Sequence, residues 1–433
     1  MRARVIGAGL AGCEAAWALA QRGVAVELYE QKPARFSPAH SSPDFAELVC
    51  SNSLKSLSPD SAAGLLKNEM RLLGSVTLAA ADRCRVPAGG ALAVDRTEFS
   101  RLVTLSIRSH PLITVIGREY TEIDLSQPTV IATGPLTEGA LAEAVAGLCG
   151  QPLSFFDAAA PIVTGESLDR SRVHEASRYG KGTPDYLNCY FDREGYLAFH
   201  RELVNARTAR LHDFDYHVYE GCMPIEKLAS RGEDSIRFGP LKPVGLTDPA
   251  TGRRPWAAVQ LRREDRRGEL YNLVGFQTNL AFPEQKRVFR MIPGLENAEF
   301  VRYGVMHRNT FLCSPRLLTE ELCLRGQPNL YFAGQITGTE GYMESAMGGI
   351  AAGRALAARL AGRQAAPLPE TTMSGALLRY VSSFEGDFQP MGANMGILPP
   401  LGEAIRDKKK KYALLAQRAI DDLKEVLADE DRD

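Results

Sequence analysis

Hydrophobic and polar positions along this chain follow two different periods, and the period changes with place. Near the N-terminus, Val5 and Ile6 form a short apolar strand, and an alanine-rich stretch from about residue 10 to 22 reads as a helix. Gly23 supplies the helix stop, after which Val24, Val26 and Leu28 alternate with polar neighbours as a second strand ending at Glu30. The run "PTVIATGPLT" is a buried-type strand, and "NLYFAGQITGTEGYMESAMGGIAAGRALAARLAG" reads as strand, glycine turn and a long helix beginning near Ser345. Between these, residues 256–261 and 270–276 alternate with period two and predict an antiparallel sheet. Ser58 and Pro59 mark a helix start and Gly74 its end. An amphipathic tail helix opens with the lysines at 408–411. These elements predict an α/β protein built from both ends of the chain: residues 1–135 and 294–433 form one domain, and residues 136–293 form a mixed α/β insertion.

The chemistry enters with Gly7, Gly9 and Gly12, spaced GxGxxG. Glycine is common here, 39 of 433 residues, so about 0.3 such spacings arise by chance and the motif alone decides little. Its context decides: strand, glycine loop, helix and second strand form one βαβ unit. In such a unit the backbone at Gly7, Ala8, Gly9, Leu10, Ala11 and Gly12 lets a pyrophosphate approach the free N–H groups of the helix N-terminus. Glu30 is placed for a ribose diol, and its charge repels a 2′-phosphate. Thr133 and Gly134 in "IATGP", with Gly334, Gln335, Gly348, Gly349 and Ile350 in the later segment, resemble the further cofactor contacts of two-dinucleotide-binding-domain flavoproteins. That resemblance implies FAD in a Rossmann-like domain. No second GxGxxG follows, so a reduced nicotinamide visits without a standard module of its own.

Charge and cysteine content narrow the classes. Lys+Arg 51 against Asp+Glu 52 leaves a polyanion only local basic patches, the candidates being Arg262, Arg263, Arg266 and Arg267, and Arg201, Arg207 and Arg210. Eight cysteines, at 13, 50, 84, 149, 189, 222, 313 and 323, include no CxxC pair, so neither a zinc site nor a disulfide scaffold is expected. The glycines and Glu14 inside the N-terminal apolar run argue against a signal peptide, and no run reaches the roughly 18 apolar residues of a membrane span. A cytoplasmic protein without a membrane or an obligate protein partner is expected.

Seven separated stretches, "GAGLAGCEAAW", "LVCSNSLKS", "YEGCMPIE", "YNLVGFQTNL", "VRYGVMHRNTF", "FAGQITGTEGYMESA" and "FQPMGANMGILPPL", resemble the TrmFO family of folate- and FAD-dependent tRNA (uracil-5-)-methyltransferases. More distantly the chain is similar to the MnmG (GidA) family, which shares the "GQI-GT-GY" turn. The closer resemblance implies methylation of carbon 5 of the T-loop uridine in tRNA. It also implies 5,10-methylenetetrahydrofolate as carbon donor and reduced FAD, recharged by NAD(P)H, as reductant. Carbon 5 of uracil is a poor nucleophile until a thiolate adds at carbon 6, which explains a need for cysteines. By resemblance Cys50 and Cys222 are the catalytic pair. Cys222 is the candidate nucleophile and Cys50 the candidate base or flavin-side partner, with the reverse assignment open. An ordinary thiol is only a few per cent thiolate at pH 7, so the site must activate one, and Lys55 is a nearby candidate. His307, Asn309, Gln277 and Asn279 are candidate folate or uracil contacts, and Tyr342 is placed near the flavin. Competing readings are an MnmG-like wobble-uridine modification enzyme, an FAD oxidoreductase for a small amine or acid, and a flavin-loaded RNA-binding or redox-sensing protein.

Overall fold

The structure is a computed structural model that describes residues 1–180, 182–209, 223–402 and 405–430. Cys222 and Arg210 lie outside the described residues. The apolar runs read above assemble into a five-stranded parallel sheet in the order Leu330–Phe332, Thr129–Ile131, Arg2–Ile6, Ala25–Tyr29, Ile113–Ile116. Strands buried on both faces have no polar face to show, which is why Thr129–Ile131 and Leu330–Phe332 are apolar throughout their centres. The last third of the chain therefore returns to the edge of the sheet that the first third began.

That return is made possible by small residues. The helix Tyr342–Leu360 lies along the first helix, Leu10–Gln21. A Cβ added at Gly349 would stand 2.1 Å from the Ala11 carbonyl oxygen, and one at Gly353 would stand 2.7 Å from that of Ala15. The long helix starts at Tyr342, about one turn before the expected Ser345, because Gly341 takes φ 117° and turns the chain directly into it. The helix expected from Ser58 instead runs Ala62–Leu72 with Ser61 as N-cap, its side chain accepting from the Gly64 N–H.

The period-two stretches form the predicted antiparallel sheet. Its order is Val173–Ala176, Tyr186–Phe191, Ala257–Arg263, Leu270–Leu273, Ile162–Thr164, Phe300–Arg302. Buried apolar residues divide into two large cores, one drawn from residues between 3 and 145 and between 311 and 423, the other from residues between 160 and 298. The first core includes Leu141 and Val145, so it extends past residue 135. A two-stranded ribbon, Leu153–Ala158 with Met306–Phe311, runs between the cores and carries His307 and Asn309. The tail helix Lys408–Glu430 buries Leu415, Ala416, Ala419 and Leu423 and leaves Lys408, Lys409 and Lys410 exposed. Among the described residues no helix is long and apolar enough to cross a membrane.

Candidate active site

One cavity of about 550 Å³ gathers both halves of the glycine framework and the ribbon between the cores. Gly7, Gly9, Leu10, Ala11 and Glu30 line one end, Thr133, Gly134, Gly334 and Gln335 the flank, and Gln277, His307 and Asn309 the far wall. Cys50 and Tyr342 stand between.

The residues at the glycine end fit a dinucleotide. Gly7 (φ 95°) passes so close to the next strand that a Cβ would sit 2.8 Å from the Ala132 oxygen. Gly12 closes the helix onto the loop, a Cβ there falling 1.7 Å from the Gly7 oxygen. Gly9 differs: no protein atom lies within 4 Å of its would-be Cβ, as expected where a ligand approaches the helix N-terminus. Glu30 accepts the N–H groups of Ala8 at 2.8 Å and Lys32 at 2.9 Å, which fixes the carboxylate beside the loop with lone pairs left for a diol. The remaining expected contacts divide. Ala8 and Gly12 do not line the cavity and serve the turn itself, while Gly348, Gly349 and Ile350 are packing residues. Gly348 and Gly349 let the long helix approach Gly334 and Ala11, and Ile350 is buried in the first core. Small size there is a helix-contact requirement rather than a ligand one.

Cys50 is held by Tyr342. The tyrosine oxygen accepts the backbone N–H groups of Cys50 at 2.8 Å and Ser51 at 3.2 Å, and it lies 2.9 Å from Cys50 Sγ. A phenol oxygen has one proton to give and two lone pairs to receive with. With both lone pairs used by N–H groups, its own O–H donates to the sulfur, an arrangement that favours thiolate. Burial and the nearby Asp157 carboxylate oppose it, and the Cys50 thiol is pushed up to about 11 despite Tyr342 and Arg96. Burial and the adjacent thiol likewise push the Tyr342 phenol well up. Lys55, the expected activator, is instead paired with the buried Glu344 at 2.8 Å. Tyr342→Phe removes the hydroxyl that, among the described residues, donates to the sulfur. In flavin-free protein, alkylation of Cys50 by iodoacetamide at pH 8 is expected to slow about tenfold, since a hydrogen bond to a charged group contributes about 1.5–3 kcal/mol. Peptide mass spectrometry across pH reads this out, and an unchanged or faster rate refutes the donor role.

The insertion reaches the same loop from behind. Arg262 Nε donates to Asn52 Oδ1 at 2.8 Å and its Nη2 to Ser51 Oγ at 2.8 Å, while Asn52 Nδ2 donates to the Arg263 carbonyl at 2.9 Å. Arg96 bonds the Leu48 carbonyl at 2.8 Å and pairs with the buried Glu264 at 2.7 Å. Arg262 is therefore a buried clamp on the Cys50 loop, not a phosphate contact, and Arg263 pairs with Glu175 at 3.3 Å. Asn279 is structural as well: its N–H donates to Glu226 at 2.7 Å and its side chain to the Ala209 carbonyl at 3.3 Å. Ile225, a few residues past Cys222, donates its N–H to the Gln277 carbonyl at 2.7 Å, so the chain leaving that motif is tied to the cavity wall. Burial, Arg302 and His40 push His307 down, which keeps the imidazole neutral at pH 7.

Several acidic residues of the cavity lining were not marked by the sequence, Asp157 and Glu340 among them. Glu340 accepts from Gln335 Nε2 at 2.6 Å, and burial together with Asp157 raises its carboxyl to about 8. The folded state thus binds a proton that the unfolded chain, near 4.5, has lost at neutral pH. Stability from this group is fully present below 4.5 and is lost as pH rises to about 8. In flavin-free protein Glu340→Gln is expected to flatten the fall in Tm between pH 5 and 8, measured against wild type by calorimetry. Parallel curves for the two proteins refute the raised carboxyl.

The seven described cysteines are all free, and Cys13, Cys84, Cys189 and Cys323 are buried apart from the cavity.

Known proteins agree with this architecture. The family profile for Glucose inhibited division protein A matches residues 2–364. A protein of Acetivibrio thermocellus named methylenetetrahydrofolate–tRNA-(uracil-5-)-methyltransferase TrmFO is 56% identical over 427 residues, covering 98% of each chain. The protein of that name from Halalkalibacterium halodurans is 53% identical over 97% of each. Among solved structures, Aquifex aeolicus GidA superposes with a TM-score of 0.69 at 16% identity, over 100% of this chain and 76% of its own, a likeness of fold. On these matches, spanning essentially the full length, the chain belongs to the TrmFO family within the wider Glucose inhibited division protein A family.

Proposed function

We propose that this chain methylates carbon 5 of the T-loop uridine of tRNA, taking the carbon from 5,10-methylenetetrahydrofolate. The observation that carries the reading is Cys50, bound at backbone and sulfur by Tyr342, inside a cavity that joins the glycine cradle to the insertion. A small-molecule oxidoreductase needs the cradle but gives no work to a fixed thiol. The names of the full-length relatives support the same reading.

FAD, held by Gly7, Gly9, Glu30, Thr133, Gly134 and Gly334, supplies the reducing equivalents when bound, with NAD(P)H as their source. The chain's own residues then have definable tasks. Cys222 is the proposed nucleophile: its sulfur forms a bond to carbon 6, the carbon 5–carbon 6 π pair moves onto the carbonyl, and carbon 5 becomes able to take the one-carbon unit. A base then removes the carbon 5 proton as the bond from the one-carbon unit to its carrier breaks. Hydride from the reducing equivalents that FAD would supply turns the exocyclic methylene into methyl as the carbon 5–carbon 6 double bond reforms and the sulfur leaves. Cys50, whose thiol is held protonated at pH 7, suits the proton-handling role better than that of resting nucleophile. Gln277, His307 and Asn309 offer amide and neutral imidazole groups to a flat heterocycle on the far wall. The protein works in the cytoplasm, where its tRNA and folate substrates are.

The test incubates the flavin-loaded protein with methylenetetrahydrofolate, NADH or NADPH, and an unmodified tRNA transcript, followed by nucleoside analysis. 5-Methyluridine is expected only with all components present. Methyl transfer from S-adenosylmethionine instead, or a requirement for a GTPase partner with modification at the wobble position, refutes the assignment.

A further inference from the structure

Outside the cavity, the most unusual surface feature is a ladder of aromatic rings. Phe282 and Tyr303 stack with centroids 4.7 Å apart at 16°, and Tyr303 and Phe300 continue the stack at 5.5 Å and 8°. Parallel stacking, unlike edge-on packing, leaves the face of an end ring free to continue the stack. Phe282, the outermost, is 51% exposed, and the neighbouring Val301 is 54% exposed. The ladder ends in an open apolar face at the helix start Phe282–Phe289.

The ladder is continuous with the site. Its strand, Phe300–Arg302, runs on through Gly304, whose N–H donates to Gln285 Oε1 at 2.8 Å, into the strand Met306–Phe311 that holds His307 and Asn309 in the cavity wall. Gly304 is pressed against Thr278 and the cavity residue Ala159, which fixes the ladder to the wall. Between the ladder rings in sequence sits Arg302. Its charge is felt by His40 and His307 in the cavity wall, and it stands among Arg96, Tyr342, Glu47 and Cys50. Among the described residues Arg302 makes no ion pair. One stretch of chain therefore carries Arg302, whose charge reaches the cavity histidines, and Tyr303, which stacks on the exposed ring of Phe282. Arg207 adjoins the ladder through its carbonyl, which accepts the Ala281 N–H at 3.0 Å. Arg287, on the same helix as Phe282, is already neutralised by Glu284 and Glu202.

An open ring face, joined through Tyr303 to a guanidinium that makes no ion pair among the described residues, fits a nucleotide: a base extends the stack and a phosphodiester meets the cation. We propose that the Phe282–Tyr303–Phe300 ladder and Arg302 seat the RNA strand flanking the target uridine, a base on the outer face of Phe282 and its backbone phosphate on Arg302. The proposal rests on the reading of tRNA as substrate. It gives sequence-tolerant grip, because every base has a π-face, and it places that grip on the stretch of chain that leads into the cavity wall. It also offers a nearly neutral protein a route to RNA without a broad basic surface.

The test measures binding of a fluorescein-labelled unmodified tRNA transcript by anisotropy over a range of salt. Phe282→Ala is expected to weaken binding about 5- to 100-fold with Phe282→Tyr near wild type, since base–aromatic stacking survives that exchange. Arg302→Gln is expected to lower the slope of log affinity against log salt by about 1. Flavin absorbance and Tm, recorded for each variant, confirm the fold, which the exposure of Phe282 leaves unburdened. The proposal is overturned if folded variants bind tRNA as wild type does while wild type methylates it. It is equally overturned if Arg302→Gln weakens folate binding and leaves the RNA salt slope unchanged, since the guanidinium then serves a folate carboxylate. A wild type that makes no 5-methyluridine removes the tRNA reading itself, and the ladder proposal with it.

Discussion

Cys50→Ala is expected to lower 5-methyluridine formation by about 10³-fold or more while the protein keeps its fold and its flavin. The size follows from the role: positioned proton transfer contributes about 10²–10⁴-fold, and little in the site stands ready to replace it. The nearest acidic groups, Asp157 and Glu340, share the cavity, but Glu340 is itself held protonated near neutral pH by burial and by Asp157. The fold survives because Cys50 is only half-buried, and its loop is anchored by backbone and neighbours. Arg96 binds the Leu48 carbonyl, Arg262 binds Ser51 and Asn52, and Tyr342 binds the backbone of Cys50 and Ser51, none of which needs the sulfur. Nucleoside analysis of tRNA after a single turnover, alongside the flavin spectrum and Tm, checks all three parts. Methylation retained within tenfold refutes a catalytic Cys50. Loss of flavin or of Tm shows that the thiol is structural instead.

What made the site legible was the part of it that is local in sequence. The glycine loop and Glu30 lie within one βαβ unit, and the return segment around Gly334 is contiguous in itself, so local spacing specifies a turn, a helix start and an acidic strand end. The antiparallel sheet was legible for the same reason, because period two is a property of a single strand. The clamp on Cys50 was not. Arg262 lies 210 residues from Asn52, and in the sequence it is one arginine of a basic cluster that reads equally well as a phosphate patch. Only the pairing of its strand with its neighbours turns it inward, to 7% exposure. Tyr342 was placed near the flavin, yet its grip on Cys50 spans 292 residues and no spacing rule reaches that far. The glycines at 348 and 349 show the opposite failure. Glycines beside a flavin-type turn suggest a ligand, whereas here the helix Leu10–Gln21 is what comes close. Sequence reveals that a glycine is required; it does not reveal against what.

The glycine loop itself can separate those two requirements. In Gly12→Ala the new methyl would fall 1.7 Å from the Gly7 oxygen and 3.5 Å from the Ala132 side chain, both fixed parts of the sheet and turn. No rotamer relieves a Cβ, so the first helix must shift, and with it the contacts it makes along Tyr342–Leu360. Overpacking of this kind costs about 1–3 kcal/mol or more, and the variant is expected to show a lowered Tm even without flavin, together with loss of the yellow colour. Gly9→Ala is the contrasting case. Gly9 has φ −73° and ψ −171°, which alanine adopts freely, and no protein atom lies within 4 Å of the added carbon. Flavin-free Gly9→Ala is therefore expected to melt with wild-type Tm, yet to bind FAD at least about tenfold more weakly, because the methyl enters the path of the pyrophosphate toward the helix N-terminus. Calorimetry of the two flavin-free variants and FAD titration by fluorescence quenching decide the matter. Wild-type FAD affinity in Gly9→Ala means the pyrophosphate lies elsewhere, whereas equal Tm losses in both variants mean that Gly9, like Gly12, is there for the protein alone.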